Sequence, residues 1–151
     1  MKLLPQAMEL AFEEAEKAAE RGEVPVGAVV TDASGAVLAR AGNRVRELRD
    51  PTAHAEILAI RAACAKLGSE RLPGCDLHVT LEPCAMCAAA ISQARIRRLY
   101  FAADDPKMGG VHHGPRVFSH PTCHHRPQVY DGLGAARAAA LLRAFFAARR
   151  D

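Results

Sequence analysis

The 151 residues, half hydrophobic and a quarter charged, match the length and balance of one soluble domain and exclude a low-complexity or disordered chain. A net charge of +3 permits a nucleic-acid partner without requiring one. No apolar run approaches the roughly 20 residues of a membrane span, and Glu9, Glu13, Glu14 and Glu16 interrupt what would have to be a secretory leader. The expected location is the cytoplasm, with no membrane partner. Five cysteines, an odd number, argue against a secreted disulfide framework; in a reducing compartment a close pair more often binds metal or does redox chemistry. With no Trp, Ala and small aliphatics must do most of the packing.

Taken in chain order, the pattern predicts a helix over Pro5–Glu20, with Met8, Ala11, Phe12, Ala15, Ala18 and Ala19 on one stripe. Pro5 suits its first turn and Gly22 its stop. Val24–Thr31 and Ala36–Ala41 read as the arms of a hairpin around the Asp32–Gly35 turn. A second helix is predicted over Pro51–Leu67, closed by Gly68, then a turn over Leu72–Asp76 and a strand over Leu77–Leu81. Pro83 opens a third helix to about Gln93, and Ile96–Ala102 is another strand. This alternation is that of an α/β domain with parallel crossovers. Residues 104–127, rich in Gly, Pro and His, form a long loop, a kind usually functional or disordered. Gln128–Tyr130 reads as a short edge strand. Ala135–Arg150 is a final helix with Arg137, Arg143, Arg149 and Arg150 spaced along it. The expected fold is one domain over 1–151, a three-layer α/β/α sandwich with a mixed sheet of roughly five strands, the first two an antiparallel hairpin.

Cys84 and Cys87 fall three residues apart at the start of a predicted helix. One helical turn puts both sulfurs on one side, where the positive end of the dipole favours thiolates, the metal-binding form. Pro83 fits the first helical position, where its missing N–H costs nothing. His54 opens the second helix in the same way, and two helices that follow strands can begin at one edge of a sheet. Three protein ligands with a fourth position left for water mark a catalytic rather than a structural zinc. Glu56, two residues beyond His54, can reach that water without ligating the metal and can carry its proton. A redox pair would be expected after the first strand, and a structural zinc would close its fourth position with a further ligand. Singly, His54 or Glu56 reads as an ordinary helix residue. The four together are specific.

His54-Ala55-Glu56 with Pro83-Cys84-Ala85-Met86-Cys87 resembles the signature of the cytidine and deoxycytidylate deaminase superfamily. Within it the chain is most similar to bacterial deaminases that act on the wobble adenosine of tRNA. The resemblance runs from about Met8 to Arg150 and includes Val24–Ala28, Gly42-Asn43-Arg44, Asp50–Ile57, Val79–Cys84, Ser92–Arg95 and the closing Phe145-Phe146 with Arg149-Arg150. It implies Zn²⁺ on His54, Cys84 and Cys87, acid/base work by Glu56, and a homodimer with the active site near the interface. It also implies that Asn43 hydrogen-bonds the target base and Asp105 contacts the neighbouring sugar, with Ala55 a further substrate contact. Arg149 and Arg150 would hold phosphates of the anticodon stem-loop; the plain alternative is a solvated helix face.

The chain departs from the pattern at Asp104, where a basic or neutral residue is expected, and over Met108–Gly114. His112, His113, Cys123, His124 and His125 fit no zinc motif by spacing and read as surface or substrate-facing. Cys64 and Cys75 read as structural. Three functions follow: an RNA-editing adenosine deaminase, a free-base or nucleoside deaminase of guanine or cytosine type, and a non-catalytic zinc module. Glu56 argues against the last. The metal motif does not separate the first two, which turn on the 104–113 loop and the last helix.

Overall fold

The computed structural model describes residues 4–149. The first helix, α1 (Gln6–Glu20), buries Met8, Ala11, Phe12, Ala15 and Ala18, the stripe expected from their spacing. Pro5 stands just outside it as the N-cap, and the chain turns away through Gly22 at φ +83°. The hairpin pairs β1 (Gly27–Thr31) with β2 (Val37–Gly42), and Asp32 Oδ1 holds its turn by accepting the N–H groups of Ser34 and Ala36. Gly27 and Gly42 are cross-strand partners. A Cβ on Gly27 would run into the α1 backbone at Ala11, and one on Gly42 into that at Glu14. The paired glycines therefore let α1 lie directly on the sheet.

The helix predicted over Pro51–Leu67 starts later, as α3 (Ala55–Leu67), and a short helix that was not expected, α2 (Val45–Leu48), precedes it. The buried Glu23 carboxylate takes the Arg46 and Glu47 N–H groups at the start of α2. Asp50 Oδ1 accepts both the N–H and the hydroxyl of Thr52, which turns the chain before α3 can start. The third predicted helix also starts later. After β3 (Asp76–Leu81), Pro83 and Cys84 stay outside α4 (Ala85–Gln93), so Pro83 is not its first residue. Cys84 is extended because it pairs with Gly109. β4 (Arg98–Ala103) and β5 (Gln128–Asp131) follow, and α5 (Ala135–Ala147) ends three residues short of its predicted limit.

The sheet order is β2-β1-β3-β4-β5, with β1 antiparallel to both neighbours and β3, β4 and β5 parallel. The expected mixed five-stranded sheet, its antiparallel hairpin and the edge position of β5 all hold. The parallel link from β4 to β5 is made by the long loop, whose one helical piece is a 3-10 turn at Val117–Ser119. Ala28, Val30, Leu77, Val79 and Leu99 pack with α3 and α4 on one face, while Val29 and Ala102 pack with α1 and Ala138 of α5 on the other. Every residue of β1 is buried, as befits a strand covered on both sides. Because β2, β3 and β4 run the same way, α3 and α4 both leave the same edge of the sheet. That edge is where α/β folds place their sites.

Candidate active site

His54 is the N-cap of α3 and Cys84 that of α4; both are extended, and neither side chain makes a capping bond. Their side chains turn toward each other instead. His54 Nδ1 lies 3.6 Å from Cys84 Sγ and 3.5 Å from Cys87 Sγ. Tetrahedral zinc, bonded at about 2.3 Å to sulfur and about 2.0–2.1 Å to nitrogen, spaces its donors by about 3.5–3.8 Å. The donor set and its spacing fit zinc, with three protein ligands and a cavity on the remaining side. Among the described residues, the other grouping of ligand-type side chains is Asp104, His112 and Asp131, all exposed.

The electrostatics of the trio suit a metal. A hydrogen bond from the Cys87 thiol holds Cys84 down at about 4, against the opposing effect of burial and with help from His54. The neighbouring Cys84 sulfur and burial push Cys87 up. Hydrogen bonding to Cys84 raises His54. Thiols bind metal as thiolates, so a metal arriving here releases thiol protons. Glu56, on the first turn of α3, is 4% exposed, and burial pushes its carboxyl up to about 7. A carboxyl balanced near neutrality can both take and give a proton.

Glu56, His54 and Cys84 wall a cavity of about 450 Å³ together with Val26, Asn43 and Phe145. Asn43 also braces the site, since its Oδ1 accepts the Ala55 N–H at 2.7 Å and its Nδ2 donates to Val24 O at 3.1 Å. Asp105 and Arg149 line the cavity as well. Asp105 Oδ1 accepts the N–H groups of Lys107 and Met108, and the Arg149 guanidinium lies 3.6 Å from the Phe145 ring centroid. Ala55 is not among the lining residues; its side chain is fully buried in the core and its N–H is committed to Asn43. Arg150 lies outside the described residues.

The histidine- and cysteine-rich stretch does not gather around one point. His112 faces Asp104 and Asp131, and His113 bonds Glu82. Cys123 and His125 hold the loop to Ser92 and Ile96, while His124 borders a separate hollow beside α4. Cys75 is in the core, and Cys64 packs against it. Sequence reasoning missed Glu82, whose carboxylate is wholly buried and receives five donors from residues 105–113. Burial pushes that carboxyl up, but the donors outweigh it and leave it below the ordinary glutamate range. The available signal was a lone acid closing the run Leu77-His-Val-Thr-Leu81, directly before Pro83-Cys84.

Among the described residues no helix is long and apolar enough to cross a membrane. Across 143 residues the chain is 64% identical to a tRNA-specific adenosine deaminase of Agrobacterium fabrum, covering 95% of this chain and 93% of the relative. A solved structure from a study of A-to-I editing by tRNA:A34 deaminases superposes with a TM-score of 0.89 at 64% identity, over 91% of this chain and 99% of the other. A guanine deaminase from Nitrosomonas europaea superposes with a TM-score of 0.82 at 28% identity, over 97% and 87%. Residues 1–103, which include His54, Glu56, Cys84 and Cys87, match the family described as the cytidine and deoxycytidylate deaminase zinc-binding region. That stretch is most of the chain, and with the relatives it establishes that this protein belongs to the cytidine and deoxycytidylate deaminase family.

Proposed function

We propose that this chain is a zinc-dependent hydrolytic deaminase that converts the wobble adenosine of a tRNA anticodon to inosine, as a cytoplasmic homodimer with one zinc per chain. His54, Cys84 and Cys87 would hold the metal. Bound there, zinc supplies the Lewis acidity that makes water a competent nucleophile near neutral pH. Glu56 takes the proton of the attacking water and delivers it to the purine ring nitrogen. A second proton then passes through Glu56 to the departing amino group, so adenosine and water become inosine and ammonia. Asn43 would orient the base and Asp105 the sugar, while Arg149 and Arg150 would meet phosphates of the anticodon stem-loop. Ala55 acts through the Asn43 bond that fixes the start of α3.

The observation that carries the RNA reading is the way the cavity opens. Through Val24, Leu81, Asp105, Met108 and Arg149 it continues into a second hollow of about 670 Å³ bordered by Lys107, Leu142 and Phe146. A free base would be held within the inner cavity alone and make no use of that extension. A nucleotide in a loop would put its base inside and its neighbours outside, against apolar Met108 and Phe146 and the cations Lys107 and Arg149. An anticodon base is already unpaired, so drawing it inward costs little. The Agrobacterium relative supports adenosine in tRNA as the target. For the homodimer, the small side chains Ala85 and Ala89, one turn apart, give α4 a face compatible with close packing between copies, as it is with packing inside one chain.

The test compares inosine formation in an anticodon stem-loop carrying a wobble adenosine with ammonia release from free guanine, cytosine and adenosine. Inosine in the stem-loop is the expected result. Turnover of the free compounds alone would replace this reading with a small-molecule deaminase.

A further inference from the structure

Glu82 follows β3 and immediately precedes Pro83-Cys84, and its side chain is 0% exposed. Its Oε1 accepts the Asp105 N–H at 3.0 Å and the His113 Nδ1–H at 2.7 Å. Its Oε2 accepts the successive N–H groups of Val111, His112 and His113 at 3.1, 3.0 and 3.1 Å. Three consecutive amides converging on one oxygen form an anion nest, here filled by the protein's own carboxylate. A buried charge is costly unless paired, and this one is paired from end to end of a single segment.

That segment is also sewn to the metal-ligand strand by its backbone. Gly110 N–H donates to Pro83 O at 2.8 Å, and Gly109 pairs with Cys84. A Cβ on Gly109 would collide with the Glu82 carboxylate and one on Gly110 with the start of α4 at Ala85. Only glycine lets the loop close this tightly. The same loop carries Asp105 and Met108 into the cavity. Glu82 borders the cavity too, but all the hydrogen bonds of its carboxylate run to the loop.

We infer that Glu82 is a positioning residue: with His113 as its ring donor, it fixes the 105–113 wall of the substrate cavity in register with Cys84. The inference rests on the RNA-deaminase reading for its kinetic consequence, though not for its structural one. Glu82→Gln keeps the shape but turns an NH₂ toward N–H donors. His113→Phe removes the ring donor, and His113→Asn restores a donor where the imidazole Nδ1 sits.

The experiment measures steady-state kinetics on the anticodon stem-loop, zinc content, and amide hydrogen exchange over 105–113 in the intact enzyme. Glu82→Gln should raise KM roughly tenfold or more, with kcat within about threefold, zinc content unchanged and exchange over 105–113 accelerated. His113→Phe should shift KM and exchange in the same direction by a smaller factor, and His113→Asn should bring both back toward wild type. Unchanged KM and exchange in His113→Phe would overturn the inference, as would a failure of His113→Asn to rescue. Loss of zinc in step with activity in soluble Glu82→Gln would overturn it too, assigning Glu82 to the metal centre. If Glu82→Gln does not fold, the His113 pair decides. If the wild-type protein forms no inosine, the functional reading fails, while hydrogen exchange still judges Glu82.

Discussion

The Asn43 Oδ1 accepts the Ala55 N–H at 2.7 Å, so a side chain that walls the cavity also pins the first residue of α3, between His54 and Glu56. The main chain at Asn43 is pinned in turn, its carbonyl accepting from Arg21 at 3.0 Å. Any substrate contact by Asn43 is therefore made by a group already engaged in holding the site.

Asn43→Ala leaves a buried N–H at Ala55 without its partner, which costs about 1–3 kcal/mol. The expected outcome is a lower urea midpoint together with at least a tenfold loss of kcat/KM. Loss of activity with an unchanged urea midpoint and full zinc content would assign Asn43 to substrate binding alone and remove its bracing role.

Glu56→Gln tests the proton carrier. The amide matches the carboxylate in shape but cannot accept and return a proton, and general acid–base groups contribute roughly 10²–10⁴-fold. Turnover should fall by at least that range while metal analysis still finds zinc, since Glu56 is not among the three grouped donors. Wild-type turnover in a zinc-loaded Glu56→Gln protein would take the acid/base role away from this residue.

Cys87 sits on the inner side of α4 at 0% exposure, so metal and fold meet at this sulfur. A ligand that binds only the folded chain raises its apparent stability. Wild-type protein should therefore melt at a lower temperature after chelation and recover when zinc is restored. Cys87→Ala should melt near the chelated wild type and ignore added zinc. A zinc response equal to wild type would mean that Cys87 is not a ligand.

The metal trio was legible because its information is local: a Cys-x-x-Cys spacing, a His-x-Glu spacing, and two predicted helix starts. The starts themselves were misplaced, since Pro51 and Pro83 favour the first helical position. The chain instead stays extended through His54 and Cys84, whose side chains face each other rather than cap their helices. Glu82 was not legible, because its partners lie 23 to 31 residues downstream in a segment with no periodicity. The order of the 104–127 loop depends on such distant bonds, including Ser92 Oγ to His125 O at 2.7 Å and the His125 ring to Ile96 O at 2.6 Å. To a reading of hydrophobic pattern, those residues are only polar residues in a loop.

His78 offers a pH test away from the metal. It lies on β3 at 9% exposure, its ring parallel to Tyr100 with centroids 4.8 Å apart and its Nε2 3.1 Å from Thr31 Oγ1. Burial pushes its pKa down to about 4, with Asp76 pulling the other way. The unfolded chain, with histidine near 6.5, therefore binds a proton between pH 6.5 and 4 that the folded chain does not. Stability from the neutral ring is complete above about pH 6.5 and drains away as pH falls toward 4, by on the order of 2–3 kcal/mol. His78→Gln keeps a polar atom for Thr31 and removes the titration. Its urea-unfolding free energy should trail wild type most at pH 7, with the gap narrowing by pH 4.5. Because every other titrating group is common to both proteins, the difference isolates His78. A gap that stays constant across that window would mean that the ring is not the site that takes up the proton.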